Sequence, residues 1–382
     1  METKQLAIDL EANYQNVGNG YLTHNFHPYP AKFIPKLPRS VILNLTKEGD
    51  TVLDPFCGCG TTLVEAKLLN RNAIGIDLNP IAVLISKSKT TKIDRVVTKN
   101  VNYILEKIKE DISKFYKGSY IIESKCIPRF KNLDHWFCKN AIAELAIIKF
   151  NILQIRNPAL SNYLYTAFSS IIVIVSNQES DTRFAAINKD IKPFRTFDEF
   201  QRKLIDMNKR IVDFSSKSSD SNIEVYKADS TNLGMLKNNS IDLIVTSPPY
   251  ANTYDYYLYH KFRIMWLDHD LSEFQNAEIG SRNRHSSKKE DISTFRASLL
   301  LCLKEMNRVL KPEKMAVIVI GDSVIRGELI RANRLIKDIA TESNFKVEKE
   351  ISYKLSKVSK MFNPKFTNKD KLEYIMFLKN TK

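Results

Sequence analysis

Residues 247–250 read Ser-Pro-Pro-Tyr, a pattern that suits chemistry on a flat ring carrying an amino group. They follow Leu243 to Val245, a short apolar run that predicts a buried parallel strand. Proline cannot extend a strand, so the chain must turn at the strand's carboxyl end, where open α/β sheets bind ligands. The serine hydroxyl and the proline carbonyls can accept hydrogen bonds from an amine, and the tyrosine can stack on its ring. An ordinary turn after a strand is the alternative interpretation.

A second candidate site lies nearer the amino terminus. A predicted strand from Thr51 to Asp54 leads into a turn with two glycines, and Thr61 and Thr62 are expected to cap the following helix. Glycines permit close approach of a ligand, and a helix start offers free N–H groups. The next predicted strand, Ala73 to Asp77, ends in an acid roughly 20 residues further on, the spacing at which a carboxylate binds ribose hydroxyls.

These segments resemble motifs of the amino-group DNA methyltransferases. Residues 54–60, Asp-Pro-Phe-Cys-Gly-Cys-Gly, are similar to the family's Asp-Pro-Phe-x-Gly-x-Gly cofactor motif, and residues 75–80 are similar to its ribose-binding motif. Residues 246–250 resemble the catalytic motif Asp/Asn/Ser-Pro-Pro-Tyr, in the serine form of the cytosine-N4 branch. The Pro-rich segment 24–35 resembles the family's first cofactor motif. The resemblance covers most of residues 24–95 and 222–382.

The resemblance implies an enzyme that transfers a methyl group from S-adenosylmethionine to the N4 amine of a flipped cytosine in double-stranded DNA, with no metal. It implies that the catalytic residues are Ser247, Pro248, Pro249 and Tyr250. The cofactor contacts that it implies are Lys32, Phe33, Asp54, Pro55, Phe56, Cys57, Gly58, Gly60, Thr61, Thr62, Asp77, Leu78, Asn79, Asp229 and Ser230. A restriction-modification role is expected, with the endonuclease as a separate chain.

Other interpretations stay open at this point. Adenine-N6 is the alternative target, because the Pro-Pro motif commonly comes first in cytosine-N4 enzymes, whereas here the glycine motif does. An RNA base methyltransferase and an inactive nucleic-acid-binding protein are further alternatives. Asp54 with Glu65 and Lys67 imitates a nuclease metal site, although a helix is expected at 65–69. Cys57 and Cys59 suggest a cysteine nucleophile, although the motif places them beside the cofactor.

The charge of the chain favours a polyanionic partner. Lys and Arg number 58 against 43 Asp and Glu, a formal net charge of +15. Aromatic and basic side chains near the second motif, in the insertion and in the loop 280–289 are the candidates for contact with DNA. They are Tyr254, Tyr256, Arg183, Arg282, Arg284, Lys288 and Lys289.

The chain has 382 residues and five cysteines without zinc-type spacing, so we expect reduced thiols and a cytoplasmic protein. No apolar run approaches the ~18 residues of a membrane span, and no membrane partner is expected.

The expected fold is α/β, with a Rossmann-like methyltransferase sheet that is mostly parallel, ends in an antiparallel hairpin and is interrupted by a large helical insertion. Residues 1–95 would form the cofactor loop and the first half of the catalytic domain. Residues 96–221, with helical periodicity, would form the insertion and a possible target-recognition region. Residues 222–382 would complete the domain, with strands over 223–226, 315–320, 345–355 and 374–379 and helices over 295–310 and 329–343.

Overall fold

Inner strands of the central sheet, over Thr51–Asp54, Asn72–Asp77, Ile241–Thr246 and Leu310–Gly321, contain the short apolar runs of the sequence. The computed structural model describes residues 20–93, 95–181, 183–282, 291–354 and 371–382, without the side chains of residues 95–99. Its strands are β1 (Thr51–Asp54), β2 (Asn72–Asp77), β3 (Gln178–Ser180), β4 (Arg183–Ala186), β5 (Ile223–Lys227), β6 (Ile241–Thr246), β7 (Leu310–Gly321), β8 (Ser323–Ile325), β9 (Glu328–Ile330), β10 (Phe345–Lys354) and β11 (Leu372–Asn380).

Helices occur throughout the chain and predominate in its middle part. They are α1 (Lys36–Leu45), α2 (Thr61–Leu68), α3 (Pro80–Thr90), α4 (Arg95–Tyr116), α5 (Leu133–Trp136), α6 (Lys139–Leu153), α7 (Pro158–Ile171), α8 (Arg195–Lys217), α9 (Tyr256–Tyr259), α10 (Lys261–Trp266), α11 (Leu271–Ala277), α12 (Ile292–Val309) and α13 (Ala332–Glu342).

The seven-stranded sheet has the order β10-β11-β7-β6-β1-β2-β5. Strand β1 pairs in parallel with β2 and β6, β2 pairs in parallel with β5, and β6 with β7. Strand β11 runs antiparallel to both β7 and β10. The expected Rossmann-like sheet with a closing antiparallel hairpin is therefore confirmed. The strand order reverses between β1 and β6, and open α/β sheets bind their ligands in the crevice at such a reversal.

Helices cover both faces of this sheet. Alternate side chains of a strand point to opposite faces, so neighbours in β1 belong to different cores. Val52 packs with residues of α1, α2 and α3, whereas Leu53 packs with residues of α12 and α13. All six residues of β6 are buried, as expected for a strand at the centre of a parallel sheet. The sheet thus holds the ends of β1 and β6 rigidly side by side.

The helical region has a hydrophobic core of its own, built mainly from α4, α6, α7 and α8. That core also takes in Phe26 from the amino-terminal loop and Phe262 and Trp266 from α10. The region therefore packs against segments that flank the two motifs. The domain boundaries at 95 and 221 remain predictions.

Strands β3 and β4 pair antiparallel within the helical region. Two local predictions were wrong. The helix expected from residue 329 begins at Ala332, because residues 323–330 pair as the β8–β9 hairpin. Strand β7 begins at Leu310 rather than at 315. Within the part of the chain that the structure describes, no helix is long and apolar enough to cross a membrane.

Candidate active site

Asp54 joins the two sequence motifs at the reversal of strand order. It ends β1, and its Oδ1 accepts a hydrogen bond of 2.7 Å from Thr246 Oγ1 at the end of β6, 192 residues away. Its Oδ2 accepts a second, also 2.7 Å, from Thr62 Oγ1. Burial raises the pKa of Asp54 to about 6, while its hydrogen bonds act in the opposite direction. The carboxyl group therefore holds the glycine turn and the Ser-Pro-Pro-Tyr turn in one fixed arrangement.

The predicted threonine cap of α2 is wrong. The N-cap residue is Gly60, with a φ of 76°, and no side chain caps the helix. Thr61 and Thr62 lie inside the helix, and the Thr62 hydroxyl donates to Asp54. A Cβ at Gly60 would lie 2.7 Å from Ser86 Oγ, so the position requires glycine both for its backbone conformation and for its contact with α3.

Asp77 lies where the sequence predicts a ribose-binding acid. It ends β2, and its carboxylate accepts N–H hydrogen bonds of 2.8 Å from Gly58 and from Asn79. Burial raises the pKa of Asp77 to about 6, and the two N–H groups oppose this shift. Asn79 in turn caps α3, accepting from the N–H of Ile81. The acid is thus oriented by backbone groups on both sides.

These residues open onto one cleft of about 880 Å³, a volume that includes the space open to solvent. The cleft includes most of the predicted cofactor contacts and part of the catalytic motif. These are Lys32, Phe33, Asp54, Phe56, Cys57, Gly58, Thr61, Asp77, Leu78, Asn79, Asp229, Ser230, Ser247, Pro249 and Tyr256. Five predicted catalytic or cofactor residues are not part of this lining: Pro55, Gly60, Thr62, Pro248 and Tyr250. Pro55 accepts a hydrogen bond from Ser230 Oγ.

Two residues of the cleft lining, Tyr29 and Glu278, are not among those predicted from the sequence. Tyr29 packs over the glycine turn, where a Cβ at Gly58 would lie 3.4 Å from its ring. Glu278 accepts a 2.7 Å hydrogen bond from the N–H of Tyr256 and so orients α9 at the cleft. The aromatic residues of the Pro-rich segment 24–35 could have indicated Tyr29. Glu278 lies in a segment without any motif, and no local signal indicates it.

The Ser-Pro-Pro-Tyr residues differ in how they are held. Among the described residues, the Ser247 hydroxyl has no hydrogen-bond partner, although it lies in the cleft lining. Tyr250 is fixed at both ends. Its ring lies against Gly321 at the end of β7, and its hydroxyl donates to Glu373 Oε1 at 2.8 Å. The turn therefore presents one unsatisfied hydroxyl beside an immobilised aromatic ring.

The structure does not support the nuclease interpretation. Glu65 lies on α2 and is fully buried. Its carboxylate accepts from Tyr21, His24 and Arg39, whereas Lys67 donates to the carbonyl of Ser221. These side chains are committed to contacts away from Asp54, and no cluster of metal-ligating side chains occurs among the described residues.

The cysteine-nucleophile interpretation is disfavoured at Cys57 for a different reason. All five cysteines are free, and Cys57 lies in the lining of the cleft. Burial raises the pKa of the Cys57 thiol well above its usual range, so the reactive thiolate is disfavoured.

Four of the seven predicted DNA contacts lie in the described part of the chain. The ring centroids of Tyr254 and Tyr256 are 5.5 Å apart. Tyr256 also stacks on Tyr29, with 6.3 Å between ring centroids. The side chain of Arg183 on the β3–β4 hairpin is 71% exposed. The backbone N–H of Arg282 donates to the Tyr254 carbonyl. The remaining candidates, Arg284, Lys288 and Lys289, lie outside the described residues.

The sheet, the reversal at β1 and β6 and the cleft between the two motifs define a Rossmann-like methyltransferase fold. The chain belongs to the DNA methylase family, whose model matches residues 9–88 and 241–382. The unmatched stretch between these segments contains the helical region, α4 to α8.

Similar proteins span most of the chain. The Type II methyltransferase M.MvaI of Kocuria varians is 25% identical over 384 residues, covering 87% of this chain and 84% of that protein. The Type II methyltransferase M.MjaII of Methanocaldococcus jannaschii is 24% identical and covers 83% and 74%, respectively. A tRNA (guanine(10)-N2)-dimethyltransferase of the same organism is 36% identical over 91 residues, which is 23% of this chain and 25% of that protein.

Proposed function

We propose that this DNA methylase transfers a methyl group from S-adenosylmethionine to the N4 amine of a cytosine in double-stranded DNA. The observation that supports it best is the shared cleft: Asp77 and Asn79 line it together with Ser247 and Pro249. A cofactor and an acceptor amine bound there would lie next to each other. The serine at position 247 favours cytosine-N4. Adenine-N6 is the second candidate, favoured by the glycine motif preceding the Pro-Pro motif.

The cleft residues fit the cofactor by their chemistry. The Asp77 carboxylate suits ribose hydroxyls, and the positive φ at Gly58 permits close backbone approach. Phe33 and Tyr29 offer aromatic rings, and Asp229 can accept from an adenine amine. When bound, S-adenosylmethionine supplies a methyl group made electrophilic by its sulfonium charge.

The chain's own contribution is to position the acceptor amine. Its lone pair is delocalised into the base, which makes it a weak nucleophile. Ser247 Oγ and the Pro248 carbonyl would accept its two hydrogens and direct the lone pair towards the methyl group. The Tyr250 ring, held by Gly321 and Glu373, would stack on the base and set its angle. Positioning would carry most of the catalysis. The target must leave the duplex to reach this cleft.

The direct test is methyl transfer from labelled S-adenosylmethionine to unmethylated bacterial DNA, followed by nucleoside digestion and mass analysis. N4-methylcytosine would support the proposal. N6-methyladenine would keep the reaction and replace the base. Label in RNA but not in DNA would change the substrate class, and no label in either would contradict the proposal. The Type II relatives support a restriction-modification role with a separate endonuclease, which endonuclease protection of methylated DNA would test.

Alanine at Gly321 is expected to displace the Tyr250 ring. A Cβ there would lie 2.8 Å from Tyr250 Cε2, so the ring must move and its bond to Glu373 would break. A misplaced base costs roughly 10- to 100-fold in kcat/KM, while the cofactor Kd should not change. Steady-state methylation kinetics and calorimetry would measure both. Gly234→Ala, whose Cβ approaches only the Asn232 side chain, is the control. Equal losses in both variants would contradict the proposed role of Tyr250.

Arg183 is proposed to contact the DNA backbone from a rigid hairpin. Strand β4 packs beside α9, next to the cleft. The neighbouring Phe184 ring is held by Trp136 at 4.7 Å and by Phe262 at 5.5 Å. The exposed Arg183 pairs only with Glu179 among the described residues, a surface ion pair of little strength.

Arg183→Ala should therefore weaken DNA binding roughly three- to tenfold and reduce its salt dependence, with the cofactor Kd unchanged. Arg202→Ala is the matched control, because Arg202 on α8 is similarly exposed and also paired with a glutamate. Fluorescence anisotropy with a labelled duplex at several salt concentrations would measure both. Equal weakening in the two variants would contradict a specific role for the hairpin.

A further inference from the structure

Ser169 on α7 is a fully buried serine whose polar atoms bond to two segments outside its own helix. Its Oγ lies 3.0 Å from His27 Nε2 in the Pro-rich segment 24–35. Its carbonyl lies in the last turn of α7, where carbonyls lack a partner within the helix, and accepts a 3.0 Å hydrogen bond from Arg263 Nε on α10. The neighbouring Ser170 is also buried, but its hydroxyl donates to a carbonyl of the same helix. Ser169 therefore connects the helical region to both segments.

His27 fixes the Pro-rich segment next to Tyr29. A carbonyl can only accept, so the His27 Nδ1, which lies 2.6 Å from the Pro28 carbonyl oxygen, carries a proton. Burial lowers the pKa of His27 well below its ordinary value, and the charge of Arg263 lowers it further, so the ring is neutral. The Nε2 atom is then an acceptor, and the Ser169 hydroxyl donates to it. Tyr29, two residues further on, lines the cleft.

Arg263 holds the tyrosine segment that follows the Ser-Pro-Pro-Tyr turn. Its side chain is 1% exposed, and its Nη1 donates to the carbonyl of Tyr259, at the end of α9, at 3.2 Å. Its Nη2 pairs with Asp181, which lies between β3 and β4. These contacts resist movement, because a buried guanidinium that loses a partner is left with an uncompensated charge. Tyr256, at the start of the same short helix, lines the cleft.

The two tyrosine rings reached in this way lie against each other. Tyr29 and Tyr256 stack with an angle of 28° between their ring planes, and both line the cleft together with Asp77. The ring of His260, the residue after α9, lies against Tyr29 with 4.9 Å between centroids. A shift of either segment would therefore move this aromatic part of the cleft wall.

We propose that Ser169 is a positioning residue for the cofactor cleft. Its hydroxyl sets the Tyr29 ring through His27. Its carbonyl sets the Tyr256 ring through Arg263. The inference rests on the proposed cofactor, which would bind beside these two rings. None of the described residues that line the cleft belongs to α4–α8, and Ser169 lies outside the segments that the DNA methylase model matches. The helical region thus acts on cofactor binding without touching the cofactor.

Replacing Ser169 by alanine tests the connection through His27. The change leaves His27 Nε2 buried without its donor, so the Pro-rich segment loses a fixed point and Tyr29 shifts. Calorimetry should show about tenfold weaker binding of S-adenosylhomocysteine, the demethylated cofactor. The cofactor KM should rise by the same factor, while kcat at saturating cofactor should change less than about threefold, because the Ser247 turn is untouched. Ser170→Ala, which removes a buried hydroxyl from the same helix, is the control.

Double-mutant cycles separate positioning from a general structural role. In the Tyr29→Leu background, Ser169→Ala should change the affinity for S-adenosylhomocysteine less than about twofold, because the ring that the serine positions is absent. Arg263→Lys keeps the charge but loses the planar fork of donors, and its effect should likewise disappear in the Tyr256→Leu background. If Arg263→Lys does not fold, the Ser169 cycle decides by itself.

A general structural role predicts that the losses add in the Ser169 cycle, and that result would overturn the inference. Unchanged affinity for S-adenosylhomocysteine in Ser169→Ala would overturn it as well, as would an equal loss in Ser170→Ala. In each of these cases the unaltered protein binds the ligand, so the proposed function stands. If the unaltered protein did not bind S-adenosylhomocysteine, the proposed function itself would fail, and the positioning role with it.

Discussion

Replacing Ser247 by alanine is expected to lower methyl transfer to DNA about 10²- to 10³-fold, the usual effect of removing one hydrogen-bonding group that acts on the reacting atoms. The hydroxyl lines the cleft and has no hydrogen-bond partner among the described residues, so its removal should cost the fold little. The loss should appear in kcat. Cofactor affinity should stay within about twofold, because the Asp77 side of the cleft is untouched.

The variant Ser247→Asn sharpens this test. Asparagine keeps a hydrogen-bond acceptor at the position, so it should recover part of the activity that alanine loses. Ser298→Ala, on α12, controls for the loss of a serine hydroxyl elsewhere. Single-turnover transfer of labelled methyl groups separates chemistry from product release. If Ser247→Ala retained activity within tenfold of the unaltered protein, the serine would not be positioning the amine.

Replacing Asp77 by asparagine is expected to weaken cofactor binding about 10- to 100-fold near neutral pH. A hydrogen bond to a charged acceptor contributes about 1.5–3 kcal/mol, and asparagine removes that charge. Gly58 and Asn79 orient the acid through their N–H groups, so the substitution also loosens the turn that faces the ligand. Calorimetry with S-adenosylhomocysteine is the measurement. Asp198→Asn, on α8, is the control.

The pH dependence of the same binding gives an independent check. The pKa of Asp77 is raised to about 6, so the carboxylate that would accept from the ribose hydroxyls is present above that pH and lost below it. Affinity for S-adenosylhomocysteine should therefore fall about tenfold between pH 7.5 and pH 5. Asp54, whose pKa is also about 6, accounts for whatever pH dependence remains in Asp77→Asn. Binding by the unaltered protein that is independent of pH would contradict the assignment.

The sequence alone determined the fold class, the two motifs and the strand ends that carry them. These features are local. A short apolar run followed by proline or glycine must end a strand, and in a parallel sheet the ligand-facing edge is the carboxyl end of the strands. For this reason Asp54 and Asp77 could be placed at strand ends, and Ser247 just after one, without coordinates. The sequence distance between the glycine turn and Asp77 is also set locally, because one helix and one strand connect them.

The tertiary structure decided which side chains meet. The bond from Thr246 to Asp54 joins residues 192 positions apart, and the Tyr250 contacts with Gly321 and Glu373 depend on β7 and β11 lying side by side. Neither pairing leaves a local pattern in the sequence. The predicted threonine cap was wrong for the same reason, since the Thr62 hydroxyl donates to Asp54, which packing places beside it. Lys89 shows this most clearly: on a helix of mixed polarity a lysine is expected at the surface, and only the packing around α3 buries it.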